Sequence, residues 1–247
     1  MLIPSSLSKA ALFVALVFLL PVAAMAAAPS DTAIAGKVTT LSGDKIAQAR
    51  AADGAIRKLV VGDTVYVSDS ISTGKDTTLV ILFLDESRFA IGSKTEVLVE
   101  KFIYDQSSAT GAFHTRFVKG VFRFISGKIA KYKNRDMQVN ISVAVLGVRG
   151  TRVEGEVSDR HEKNGIMVDA SARVVLLEPD DKDEKTSISV SNAFGSVIVD
   201  QPGYGTEIPD EKSPPSPVRK MQLQTVDNVL RSLRSSTRQG GTPRPRM

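Results

Sequence analysis

The stretch SVAVLGVRGTRVEGEV, Ser142–Val157, decides the fold. Upstream of it and into it, Met137, Val139, Ile141, Val143 and Val145 alternate with Gln138, Asn140 and Ser142. That is period two, the mark of a strand with one buried face. The alternation breaks at Gly147-Val148-Arg149-Gly150-Thr151, and a second strand follows to Val157. Glycine adopts backbone angles that a side chain forbids and lets another chain approach closely. The segment therefore reads first as a bulge or corner between two strands, with Arg149 held by a nearby carboxylate or by backbone carbonyls. The competing reading is an anion site built from backbone N–H groups and Arg149. Gly147, Arg149, Gly150 and Thr151 are the candidate motif and recognition residues under either reading. The Gly-Lys-Ser/Thr ending of a phosphate loop is missing, and a strand follows instead of a helix, which excludes a nucleotide loop.

The same grammar runs outward in both directions. Val65 and Val67 alternate with Tyr66 and Ser68 between Gly62-Asp63 and Thr73-Gly74. TTLVILFL is apolar on both faces, which predicts a strand covered on both sides. TEVLVEKFIYD is strongly β-prone, and FHTRFVKGVFRFISGKIAKY reads as two strands joined at Lys119-Gly120. GIMVDA, ARVVLLE and SISVSNAFGSVIVD continue the pattern. Short strands at such spacing, with glycine turns and no long helical period, predict an all-β fold. Its many short strands suit a sandwich or a small β-solenoid.

The two ends differ from this body. AALFVALVFLL, Ala10–Leu20, is an apolar run of signal-peptide length, broken by Pro21 and followed by small residues. We expect residues 1–26 to be a signal peptide cut after Ala26 and the protein to be periplasmic. The β domain is expected over 27–208, and a Pro-rich linker over 209–217. Val218, Gln222, Val226, Val229, Leu230 and Leu233 fall largely on one helical face. They predict a short C-terminal amphipathic helix over 218–235, capped by Ser216 and Pro217, before a disordered tail over 236–247. That helix has two readings, docking on a protein surface or contact with an anionic membrane.

Composition argues against several functions. The chain has no cysteine, hence neither disulfide nor thiol chemistry, and no tryptophan to stack against sugars. From Pro209 onward eight basic residues face three acidic ones, so the formal charge of +5 belongs to that end and the body is near neutral. A general nucleic-acid surface would need a basic face on the body itself. The two histidines, His114 in a strand and His161 in a charged turn, are expected to face solvent. Neither has zinc-ligand spacing, so we expect no metal, no cofactor and no catalytic residue. Asp180–Glu184 reads as a solvated turn in preference to a calcium loop.

Taken together, several stretches resemble the FecR-type domain of bacterial envelope proteins. They are VGDTVYVSDSISTGKDTTLVILFLDESRFAIGSKTEVLVEKFIYD, RFVKGVFRFISGKIAK and VNISVAVLGVRGTRVEGEV, with VSNAFGSVIVDQPGYGTEI as a further match to the family's ending. The resemblance covers about Gly62 to Ile208. The family's usual Asp-Gly-Ser turn is Asp85-Glu86-Ser87 here. The resemblance implies signalling across the bacterial envelope. The sigma-binding segment and membrane helix of the regulators in this family have no counterpart ahead of the β region, so we expect a stand-alone exported form. The expected function is non-enzymatic recognition of a protein partner in the envelope. The alternative is a module that binds envelope glycan or a small anionic ligand.

Overall fold

The computed structural model describes residues 33–179 and 186–223. These form strands β1 (Ile34–Gly43), β2 (Ala47–Arg50), β3 (Ile56–Lys58), β4 (Thr64–Tyr66), β5 (Ser70–Thr73), β6 (Thr77–Phe83), β7 (Arg88–Ile91), β8 (Glu96–Asp105) and β9 (Thr110–Ile125). After a single 3-10 turn at Ile129–Lys131 come β10 (Asn134–Ile141), β11 (Ala144–Arg149), β12 (Arg152–Ser158), β13 (His161–Lys163), β14 (Ile166–Val168), β15 (Ser171–Leu177), β16 (Ser187–Asn192), β17 (Gly195–Val199), β18 (Tyr204–Ile208) and β19 (Arg219–Lys220). The fold is all-β.

Two sheets share one strand. The first runs β4-β1-β6-β7-β9-β12-β15-β18-β19, and the second β3-β2-β5-β8-β9-β10-β11-β16-β17. Thr110–Lys119 of β9 lies in the second sheet and Gly120–Ile125 in the first. The two inner faces meet through phenylalanine rings. Phe83 of β6 lies 4.5 Å from Phe113 of β9, and Phe89 of β7 lies 5.4 Å from Phe117. This is sandwich packing. A solenoid would stack its coils in parallel, whereas β9–β10 is the one parallel ladder among the described strands.

The bend in β9 makes this possible. Gly120 has φ +105°, and a Cβ placed there would lie 2.2 Å from Thr95 Oγ1. Thr95 stitches the bend, accepting from Val121 N–H at 3.1 Å and donating to the Val121 carbonyl at 3.2 Å. The sequence reading of two strands joined at Lys119-Gly120 is thus corrected to one bent strand. In β6, Leu79, Ile81 and Phe83 are buried in the core, while Val80 and Leu82 on the other face are half-buried.

The C-terminal helix is corrected where it is described. Residues 218–223 are extended, and β19 pairs with β18 in antiparallel register, Tyr204 opposite Lys220. Pro214, Pro215 and Pro217 favour extended backbone ahead of it, and Met221 and Leu223 have the period two of a strand. The expected linker is docked as well: Pro215 is buried, and Asn192 Nδ2 donates to the Ser213 carbonyl at 2.7 Å. The expected signal peptide, the rest of the expected helix and the expected tail lie outside the described residues.

Gly120→Ala meets both a left-handed φ and a backbone clash. It should cost at least about 2 kcal/mol in urea or guanidinium unfolding. A wild-type midpoint would contradict the role given to this bend.

Candidate functional site

The corner first singled out in the sequence carries the chain from one layer to the other. β11 belongs to the second sheet and β12 to the first, and Gly150 between them is buried with φ +51°. Thr151 N–H donates to Ser126 Oγ at 2.7 Å, and Ser126 N–H returns a bond to the Thr151 carbonyl at 3.0 Å. The Thr151 N–H is therefore engaged and does not face an anion. The Thr151 hydroxyl accepts from Thr186 and donates to the Arg152 carbonyl. Gly147 leaves room for the neighbouring strand, since a Cβ there would lie 2.5 Å from Ser189 Oγ. Arg149 differs from expectation. It is exposed at the end of β11, opposite Ser187, with no hydrogen bond or ion pair to a described residue.

Ionisable groups elsewhere are tied into the fold. Arg57 grips the buried Asp69 with both terminal nitrogens and donates to the Thr64 carbonyl, and the Asp69 bond raises its pKa. His114 does not face solvent as expected: Nε2 lies 2.7 Å from Asp136 Oδ1, without hydrogen-bond alignment. That contact, with Lys101 behind it, holds the Asp136 carboxyl below its ordinary range. His161 is exposed. No cluster of metal-ligating side chains occurs among the described residues, and Asp180–Glu184 lies outside them.

The feature the sequence reading missed is β13–β14. Among the described strands these pair only with each other, and Asn164 and Gly165 between them both have positive φ, +53° and +79°. That is the left-handed pair a two-residue hairpin turn requires. Residues 160–169 are exposed throughout. Ile166, Met167 and Val168 are 69%, 58% and 37% exposed. Arg160 clamps the base, donating to Asp169 Oδ1 at 2.9 and 3.2 Å. The signal was available: Asn-Gly marks a hairpin, and His161-Glu162-Lys163 is too polar to bury. A strand paired with it stays at the surface too, however apolar its own residues.

The model for FecR protein matches residues 69–178. The chain carries a FecR-type domain. FecR proteins are regulatory and signalling proteins. The match runs from the residue before β5 to the residue after β15 and includes both the corner and the arm. β1–β4 and β16–β19 complete the two sheets outside it. The stretch Val190–Ile208, which also resembled the family, lies beyond the matched range. No curated protein matches the chain.

The family's Asp-Gly-Ser turn can now be read physically. The residue in the glycine position, Glu86, has φ +69°. Asp85 is buried, and its carboxylate accepts from Ser87 N–H at 3.0 Å and from Ser87 Oγ at 2.7 Å. A glycine would relieve the strain at Glu86, and the exposed Lys128–Glu86 pair lost with it is worth little.

Two outcomes are expected. Glu86→Gly should raise unfolding stability by about 1 kcal/mol, read from the denaturant midpoint. Arg149→Ala should leave stability within about 0.5 kcal/mol of wild type, as for an exposed side chain with no partner among the described residues. A large loss in the second variant would reveal a partner for Arg149.

Proposed function

We propose that this is an exported, non-enzymatic FecR-type protein of a bacterial envelope, periplasmic, that recognises a protein partner through the β13–β14 arm. The exposed apolar run Ile166-Met167-Val168 is the observation that carries this reading. An isolated two-stranded hairpin is marginally stable in water, and a contiguous apolar run on one is a liability unless something covers it. The arm is also presented, not merely left over. Its turn is the type that matches strand twist, and the Arg160–Asp169 pair closes its base. Neither outer edge pairs with another described strand, which suits strand addition.

Register divides the arm into two faces. Ile166 and Val168 stand with Lys163 and His161, while Met167 stands opposite Glu162. A partner surface with an apolar strip flanked by carboxylate would meet the first face. Regulatory function in the envelope fits such a recognition element, since signalling needs a contact that forms and breaks.

A photo-crosslinking residue at exposed Lys163, on the first face, should trap one defined partner in the native envelope, and the same residue at exposed Gln48 should not. Ile166→Ser combined with Val168→Ser should keep the folded circular dichroism spectrum and reduce that partner's recovery at least ten-fold. Undiminished recovery would remove the arm from recognition. Retention in the cytosolic fraction would remove the export claim.

A further inference from the structure

The edge of the first sheet is closed by the chain's own C-terminal segment. Ser216 N–H donates to the Glu207 carbonyl at 2.9 Å, and Thr206 Oγ1 donates to the Ser216 carbonyl at 2.7 Å. Arg219 and Lys220 then pair with Gly205 and Tyr204, and Met221 N–H donates to the Gly203 carbonyl at 3.0 Å. Past that edge the segment lies on the outer face of the sheet. Leu223 is 4% exposed and packs with Val121 and Val175, with Ala90, Leu177 and Met221 around them. This small apolar cluster is distinct from the main core.

The seat looks built for an extended segment. Gly205 makes room, because a Cβ there would lie 2.7 Å from Met221 Sδ and 2.1 Å from the Val174 carbonyl. A groove of about 230 Å³ runs beside the segment, with Glu154, Val175 and Leu177 in its walls. Glu154 is 3% exposed and paired to Arg123. Glu207 receives Arg219 at 2.8 Å and Arg173 at 3.4 Å. The segment thus presents a cation, an apolar side chain and a second apolar side chain at alternate positions, Arg219, Met221 and Leu223. Main-chain bonds to a sheet edge are indifferent to sequence, and alternate side-chain seats supply the selectivity.

We propose that the β18 edge and the adjoining groove form a peptide-binding site, held in this structure by residues 213–223 in cis. In trans it takes an extended segment of another protein with the pattern cation-x-apolar-x-apolar. The carboxylate of Glu207 sets the cation position, and Val121, Val175 and Leu177 set the apolar ones. The tethered segment acts as a competitor of high local concentration, so a partner's segment must bind well or arrive where the tether has opened. This surface shares no residue with the arm, so either reading can fail alone.

The test uses the full chain and a labelled synthetic peptide, SPPSPVRKMQL, which reproduces residues 213–223. The chain has no cysteine, so Tyr204→Cys with Lys220→Cys introduces a single disulfide across the β18–β19 register. By fluorescence anisotropy, Met221→Ser with Leu223→Ser should bind the peptide at least ten-fold more tightly than wild type. Arg219→Glu, a milder change at Glu207, should shift affinity in the same direction by about three-fold. The oxidised disulfide variant should not bind, and reduction should restore binding. Equal affinity in the oxidised and reduced states, or no binding by the double serine variant, overturns the proposal. A disulfide that links two chains also overturns it, since the seat then belongs to an exchanged dimer.

Discussion

A single bent strand holds the two layers together. β9 contributes Phe113 and Phe117 before Gly120, and Phe122 and Phe124 after it, and all four rings are buried. Phe117 and Phe122 stack at 4.2 Å across the bend, and Phe89 stacks on Phe124 at 4.5 Å. The geometry of one residue therefore sets the angle at which two walls of rings meet. With neither disulfide nor tryptophan in the chain, cohesion depends on this close packing, and packed interiors transmit small displacements. The order of strands in both sheets follows, because β7 and β12 flank one half of β9 while β8 and β10 flank the other.

Buried charges fix how the chain crosses between those walls. Arg57 sits on β3 in the second sheet and reaches the Thr64 carbonyl of β4 in the first, with Asp69 between them. The Asp85 turn holds the chain after β9, with Gly127 N–H on Ser87 Oγ at 2.8 Å and Lys128 N–H on the Asp85 carbonyl at 2.7 Å. Such groups add little net stability, because removing charge from water is costly, but their bonds are directional and specify register. Asp85 shows the cost. Burial pushes its carboxyl above the ordinary range, against the opposing hydrogen bonds from Ser87. The folded state then favours the protonated form, so this turn's contribution declines as pH rises through the raised value.

Much of this was legible in the sequence, and what was not has a physical cause. Period-two alternation located β10, which buries Met137, Val139 and Ile141. The same phase was carried on to Val145, whereas the chain turns at Ser142-Val143, and β11 buries Ala144, Leu146 and Val148 and leaves Val145 exposed. The corner at Gly150 was legible because glycine marks a backbone need. Alternation does not say which strand neighbours which, so sandwich and solenoid stayed open until the ladders were seen. Lys119-Gly120 looked like a turn because a positive-φ glycine serves a bend and a hairpin alike. The helix over 218–235 was drawn from Val218 and Gln222 together with Val226, Val229, Leu230 and Leu233, and the last four lie outside the described residues. Within 218–223, the free edge of β18 and the apolar cluster on the sheet override helical preference. Arg149 was given a partner because arginine beside glycine suggests one, and no such partner is found among the described residues.

The management of sheet edges connects fold to function. β3 and β4 are three residues long, with Arg57 and Lys58 on β3, and short charged edges resist unwanted pairing. β17 begins at a glycine packed against Pro214, which crowds one end of that edge. β18 is closed by residues 216–221. An all-β protein that protects its edges in these ways has no structural need for an uncovered apolar arm. Removing Ile166, Met167 and Val168 would disturb no core contact, since all three lie outside the buried clusters. Packing among the described residues therefore does not account for their apolar character.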